Sequence, residues 1–317
     1  MTYPTSKIWF ITGASSGLGL ELSLAALAAG HRVIGTTRNV QKATASHPQF
    51  EKLGGRWLEV DLSQPASQSV IEESLAAEES RLAQASLHWV IVNNAGSTLI
   101  GVAEDVSEVQ FSQYLQANVY GCVRVWKAAL PTLRRRRQGT LITISSIWGF
   151  VPKPEHMLYS AAKAMMESLT ESYAALLAPL SIQTLIIEPG GFRTPFAANH
   201  QISDQGISKD YEGPVKAWKE VVEEAGKNPN IVDGDPRKFG KAVVDAVEAQ
   251  GLFQEVLKNH DTTQVLRIQF GSDCYSLFGQ RLMKLHHGYE RMAVVAKSTD
   301  VNNMREDEEL GQDGALF

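Results

Sequence analysis

Short runs that are apolar at consecutive positions alternate, from the N-terminus to about Gly190, with longer segments whose apolar residues return every three or four positions. The runs are Ile8–Ile11, Arg32–Thr37, Arg56–Val60, His88–Val92, Thr140–Ser145 and Ile182–Ile187, and they are rich in Val and Ile. Between them Leu18–Ala29, Ser67–Ala83, Val109–Leu133 and Ser160–Leu177 carry the helical period. Strands apolar at every position are buried on both faces, which requires helices on each side of a parallel sheet joined by right-handed crossovers. The pattern predicts an α/β fold, a doubly wound parallel sheet whose ligand lies beyond the carboxyl ends of the strands.

No boundary rich in Pro, Gly and Ser divides the chain before Gly190. From Phe192 to about Pro236 the composition turns polar, and this stretch reads as a lid-like excursion over the sheet's carboxyl edge. Ala242–Ala249 reads as a helix, Val265–Phe270 as a last strand and Asp273–Ala296 as a closing helix. The expectation is a single Rossmann-type domain over residues 1–297. Residues 298–317, with Arg-Glu-Asp-Glu-Glu at Arg305–Glu309, read as a disordered acidic tail.

The 317 residues, 44% hydrophobic and 21% charged, suffice for a full core. A net charge of −5 gives no electrostatic case for nucleic acid or an anionic membrane as partner. Cys122 and Cys274 stand far apart, and the eight histidines show no ligand pairing at helical spacing, so neither a disulfide framework nor a metal is expected. The N-terminal apolar run is too short for a signal peptide, and no window has the length of a bilayer span, so the chain is expected to be cytoplasmic.

Thr12-Gly-Ala-Ser-Ser-Gly-Leu-Gly19 joins the first strand to the first helix. Glycines at Gly13, Gly17 and Gly19 let backbone amides approach a ligand closely, and a helix N-terminus adds partial positive charge. A pyrophosphate suits such a turn. A tight connection with no ligand suits it too. What separates the two is the company the turn keeps. Asn93-Asn94-Ala95-Gly96 ends the fourth strand, Ser145-Ser146 the fifth and Pro189-Gly190 the sixth, while Tyr159 and Lys163, four apart, share a helix face.

Together these motifs resemble the short-chain dehydrogenase/reductase family: TGxxxGxG at Thr12–Gly19, NNAG at Asn93–Gly96, a helix asparagine at Asn118 and YxxxK at Tyr159–Lys163. The match runs from about residue 6 to Thr194. Gly234–Pro236 and Leu266–Asp273 are more loosely similar to a subgroup with an extended C-terminal region. The resemblance implies that Tyr159 protonates a carbonyl oxygen as hydride reaches its carbon, and that Ser146 hydrogen-bonds the same oxygen. It further implies that Lys163 bonds the nicotinamide ribose and lowers the Tyr159 pKa, and that Asn118 holds a water linking Lys163 to solvent. Ser145 is the rival serine; its position 14 residues before Tyr159, against 13 for Ser146, and the alternation of side chains along a strand favour Ser146.

For the cofactor, the resemblance assigns Gly13, Ser15, Ser16, Gly17, Leu18 and Gly19 to the pyrophosphate turn, and Asp61 and Leu62 to the adenine. It assigns Asn94, Ala95 and Gly96 to the fourth-strand edge, with Pro189, Gly190, Phe192 and Thr194 at the nicotinamide. The second strand ends Thr37-Arg38, where a preference for NAD would place an acidic residue. Arg38 suits a 2′-phosphate, so NADP(H) and reduction are expected; an arginine stacked on adenine without reading the phosphate is the alternative. Ser16 stands where some NADP-preferring relatives carry a basic residue, so the preference rests on Arg38. Arg124 is a further cofactor candidate, with a plain role on the helix surface as its rival.

Other features have two readings each. Arg134–Arg137 is either a basic patch or a solvated helix C-terminus, favoured by the helix dipole. Trp148, Phe150, Phe196, Tyr211 and Trp218 either surround an apolar carbonyl substrate or belong to the core, and His156 and Met157 either line the pocket or form an ordinary loop. The long helices before the fifth strand and after Tyr159 either form a homodimer face or are satisfied within a monomer. For the whole chain, an NADPH-dependent carbonyl reductase of a medium or large apolar substrate stands against a non-catalytic NADP(H)-binding regulator. Within the enzyme class, a C=N substrate or alcohol oxidation is the narrower alternative. An intact Ser146, Tyr159 and Lys163 favours the enzyme, because a sensor needs no proton donor.

Overall fold

The computed structural model describes residues 6–82, 87–258 and 266–299. Seven parallel strands form one sheet: β1 (Ile8–Ile11), β2 (Arg32–Thr37), β3 (Arg56–Glu59), β4 (Trp89–Asn93), β5 (Gly139–Ile144), β6 (Ile182–Pro189) and β7 (Leu266–Phe270). Their order is β3-β2-β1-β4-β5-β6-β7. The order reverses direction at β1, so the crevice between the ends of β1 and β4 is the switch point at which such sheets bind ligands. Every strand but β3 and β7 is buried nearly throughout, as the unbroken apolar runs require.

The main helices are α1 (Gly17–Ala28), α2 (Ser67–Arg81), α3 (Glu108–Arg136), α4 (Met157–Leu177), α5 (Glu212–Lys227), α6 (Pro236–Glu248) and α7 (Ser272–Lys297). One face of the sheet packs Phe10, Ile91 and Leu141 against Ile71 of α2, Trp126 and Leu133 of α3, and Met166 of α4. The other packs Trp9, Val90 and Ile187 against Leu22 of α1 and Val243 of α6. A Cβ at Gly240 would stand 2.5 Å from the Glu21 carbonyl oxygen, so only a glycine lets the backbones of α6 and α1 meet this closely. No described helix is long and apolar enough to cross a membrane.

Several boundaries differ from the sequence reading. β3 ends at Glu59 rather than Val60, β4 runs Trp89–Asn93 rather than starting at His88, and β6 extends through Pro189. Ala83 and Val265, and the tail from residue 300, lie outside the described residues. α3 contains a π-helical turn, Gln116–Tyr120, and α4 begins at Met157, so Tyr159 lies within the helix rather than at its opening. Ile147–Phe150 forms a short helix directly after β5. The chain leaves the sheet edge after Gly190 and returns beside itself: Arg193 N–H donates to the Gly234 carbonyl and Gly234 N–H to that of Gly191. Within this excursion lies α5, and Gln201–Ile202 pairs with Leu99–Ile100 in a two-stranded sheet.

Arg134–Arg136 form the last turn of α3 rather than following it, and two of them are not merely solvated. Arg135 and Arg136 each pair with Glu79 of α2, and Arg137 donates to the Pro179 carbonyl at 2.8 Å. The run fastens α3 to α2 and to the turn before β6.

Candidate active site

The glycine turn is built by backbone geometry. Gly13 and Gly17 hold φ of +64° and +56°, which a side chain would strain. Gly13 N–H donates to Thr36 Oγ1 at 3.1 Å and Ala14 N–H to the Thr36 carbonyl at 3.0 Å, so β2 anchors the turn. Thr12 Oγ1 accepts from the amides of Asn94 and Ala95 at 2.9 and 3.0 Å, and Asn94 Nδ2 donates to the Thr12 carbonyl at 2.8 Å. These bonds lock β1 to β4 at the switch point. Ser16 begins α1 without a side-chain cap, which leaves the helix's first amides free to meet an anion.

Around this turn stand the residues assigned to a dinucleotide. Thr194 lies over it, 3.4 Å from where a Gly17 Cβ would be. Asp61 accepts from Ser63 N–H at 3.0 Å and Ser63 Oγ at 2.8 Å. Burial of the Asp61 carboxyl is outweighed by these bonds and by the Arg38 charge, which hold its pKa down. Arg38 and Asp61 are therefore neighbours at the exposed ends of β2 and β3. An uncapped helix N-terminus, glycines with positive φ and an exposed arginine at the far end fit a nicotinamide dinucleotide.

Arg124 is a correction. Its guanidinium donates to the carbonyls of Leu62 at 2.8 Å, Ser63 at 3.3 Å and Gln116 at 3.2 Å, and to the Gln116 side chain. It braces the loop that carries Asp61 and Leu62 rather than standing free for a cofactor, since both terminal nitrogens of its guanidinium are bonded to protein oxygens.

At the end of β5 the two serines separate as alternation requires. Ser145 Oγ donates to Glu167 on α4, while Ser146 caps the short helix Ile147–Phe150, accepting from Trp148 N–H at 3.2 Å. Tyr159 and Ser146 are each 5% exposed. Burial pushes the Tyr159 phenol up to about 12, opposed only in part by its interaction with the Ser146 hydroxyl. The expectation that Lys163 lowers this pKa is not met. Lys163 Nζ stands 5.8 Å from the Tyr159 ring centroid and donates to the Ile144 carbonyl at 2.8 Å, and burial lowers its own pKa. Desolvation of the phenol outweighs an ammonium that is turned toward a backbone oxygen.

Gly96 lies between two of the assigned groups: a Cβ there would be 3.2 Å from Asn118 Oδ1 and 3.6 Å from Lys163 Nζ. Asn118, in the π-helical turn, accepts from Ser97 N–H at 2.8 Å and donates to the Tyr114 carbonyl at 3.0 Å. The turn that breaks the regular helix thus sets Asn118 beside Lys163.

The aromatic residues divide. Phe196 lies 6.0 Å and His156 5.7 Å from Tyr159, centroid to centroid, and Trp218 packs edge-on to both His156 and Trp148. Phe150 turns away to stack on Phe278 of α7, and Tyr211 and Met157 are exposed. Burial lowers the His156 pKa to about 4, so its ring is neutral beside the phenol.

At the end of β6, Gly190 N–H donates to the Phe270 carbonyl at 2.8 Å and Gly191 N–H to Asp273 Oδ2 at 2.7 Å. A Cβ at Gly190 would lie 2.2 Å from Asp273. Phe192 pairs with Gly234 and packs its ring on Phe239. Asp273, Thr12 and Thr36 have no site role in the sequence reading; for Asp273 the signals are its place two residues after Gly271, which follows β7, and the looser resemblance over Leu266–Asp273.

Comparison with known proteins agrees with this geometry. The short chain dehydrogenase family model matches residues 7–205. The chain is 40% identical over 192 residues to oxidoreductase claN of Passalora fulva, covering 60% of this chain and 84% of that one. It is 32% identical over 243 residues to a 3-ketodihydrosphingosine reductase of Bacteroides thetaiotaomicron, covering 76% and 83%. A short-chain dehydrogenase structure from Streptomyces avermitilis superposes with a TM-score of 0.74 at 28% identity, covering 95% of this chain and all of that one. With its switch-point turn, its Asn118, Ser146, Tyr159 and Lys163 gathered at one sheet edge, and a family match over most of that sheet, the chain belongs to the short-chain dehydrogenase/reductase family of nicotinamide-dependent oxidoreductases.

Proposed function

We propose that the protein is an NADPH-dependent reductase that converts a ketone of a medium to large, apolar substrate to a secondary alcohol. The observation that carries this reading is the burial of Tyr159 and Ser146 at one sheet edge, with Lys163 one turn along α4. The phenol, pushed up to about 12, holds a proton to donate across the neutral range. The bound nicotinamide supplies the hydride. Tyr159 gives its proton to the carbonyl oxygen, Ser146 hydrogen-bonds that oxygen, and Lys163 holds the ribose. Asn118 and Lys163, both facing Gly96, return a proton from solvent.

Phe196 and the neutral His156 ring beside Tyr159, with Trp218 and then Trp148 packed edge-on behind His156, support an apolar substrate. The name of one relative, a 3-ketodihydrosphingosine reductase, is in keeping with this class. Arg38 supports NADPH over NADH: it is exposed past the end of β2, and among the described residues no carboxylate forms an ion pair with it. The partner in this reading is that carbonyl substrate, a small molecule, with neither nucleic acid nor membrane involved.

The test is a screen of long-chain, polycyclic and short-chain ketones for consumption of NADPH and of NADH by the purified protein. Preferential NADPH consumption with the larger apolar ketones supports the reading. Consumption confined to small polar ketones, or none with any ketone, contradicts it.

A further inference from the structure

Tyr159, Lys163, Glu167 and Glu171 follow one another at intervals of four on α4, so their side chains form one stripe down the helix. The stripe leads from the phenol to a buried ion cluster that the proposed reaction leaves unused. Glu167, 3% exposed, accepts from Ser145 Oγ and, through its other oxygen, from Arg267 of β7 at 3.1 Å. Glu188 of β6, fully buried, accepts from the same guanidinium and from Gln269 Nε2 at 2.6 Å. Arg267 also donates to Glu171 at 2.8 Å. One guanidinium therefore serves three carboxylates.

The cluster reaches the site in two ways. By position, Glu167 lies directly under the loop that carries Ser146: it holds Ser145, and a Cβ at Gly149 would stand 2.1 Å from its Oε1. By charge, it is eight residues, about 12 Å of helix rise, from Tyr159 along α4. Its carboxylate favours the protonated forms of both Tyr159 and Lys163. A clamp between β7 and α4 needs no such cluster, since apolar residues of similar volume serve that purpose as well or better than buried ions.

We propose that Glu167, held by Ser145 and Arg267, is a positioning residue that fixes the Ser145–Ser146 segment and places a negative charge on the helix stripe below Tyr159. The proposal rests on the reading of Tyr159 as the donor. The groups facing Tyr159 are Lys163 and Glu167 of its own helix, His156 before it and Tyr114 of α3. Lys163 also faces Cys122 of α3. Glu167 faces Glu171, Glu188 and Arg267, with Cys274 of α7 beyond them.

The test is an ultraviolet phenolate titration of the full chain saturated with NADP+, with the Tyr159→Phe protein subtracted to isolate one phenol. Glu167→Gln is expected to lower the Tyr159 midpoint by roughly one pH unit, the size of a unit charge acting across about 12 Å at an effective dielectric of about 20. Glu167→Asp, which keeps the charge, is expected to titrate with the wild type. A Gln variant that titrates with the wild type, or an Asp variant that shifts as the Gln variant does, overturns the proposal. Should the Gln variant not fold, Arg267→Gln at a partly exposed position carries the test. Loss of the counter-charge is expected to raise the midpoint, and an unmoved or lowered midpoint overturns the proposal. The titration needs no substrate, so a failure to turn over any ketone is a separate outcome that bears on the proposed function alone.

Discussion

Gly19 lies against Asn94: a Cβ on Gly19 would stand 2.4 Å from Asn94 Nδ2 and 2.5 Å from the Gly13 carbonyl oxygen. The third glycine of the turn is thus required by packing between β1, α1 and β4. Gly19→Ala is expected to push Asn94 off the Thr12 carbonyl and to open the turn. Isothermal titration with NADPH checks this, with a loss of affinity of about tenfold or more expected from one displaced, charge-facing backbone segment. Unchanged affinity would mean that the turn does not seat the pyrophosphate.

Arg38 is expected to choose the cofactor. Arg38→Ala should weaken NADPH binding by about 10- to 100-fold, the size of one or two lost charge-assisted hydrogen bonds, and leave NADH nearly unaffected. Equal losses for both cofactors would assign Arg38 to stacking on the adenine.

The two serines are expected to differ. Ser146→Ala removes a hydrogen bond to the reacting oxygen and should lower kcat by about 10²-fold with little change in NADPH affinity. Ser145→Ala leaves Ser146 in place but frees Glu167, so kcat should fall less. Steady-state kinetics with one ketone found by screening orders the two, and an equal or reversed order contradicts the assignment.

How much of this was legible in the sequence follows from which residues act locally. Gly13, Asn94, Tyr159 and Lys163 stand in short motifs at the ends of strands or on one helix face, so periodicity and spacing place them at one edge. Alternation along β5 likewise separated Ser146 from Ser145. Burial was not legible. Lys163 stands four residues from Tyr159, yet its ammonium turns to the Ile144 carbonyl and desolvation decides the phenol's pKa. Arg124 showed the same limit, since the carbonyls of Leu62 and Ser63 that bind it come from a loop about sixty residues earlier. Asp273, Arg267 and Glu188 meet the site only because β7 pairs with β6, a contact across some eighty residues that no local pattern records.

Glu188 gives a pH dependence with a definite sign. Burial, against the opposing charge of Arg267, raises its pKa from 4.5 to about 7. The folded state therefore holds this proton more tightly than the unfolded chain, and ionising Glu188 costs stability as pH rises from 4.5 to about 7. Glu188→Gln should gain stability relative to wild type across that window and show no such trend below it. Denaturant melts of both proteins at several pH values check this, and a constant difference would contradict it.

The central claim is that Tyr159 delivers the proton in carbonyl reduction, and single-turnover oxidation of bound NADPH by a reducible ketone tests it most directly. With Tyr159→Phe the rate is expected to fall by about 10²- to 10⁴-fold, the usual contribution of a general acid, while NADPH affinity stays within about twofold. A Phe variant that oxidises NADPH as fast as the wild type would contradict the account.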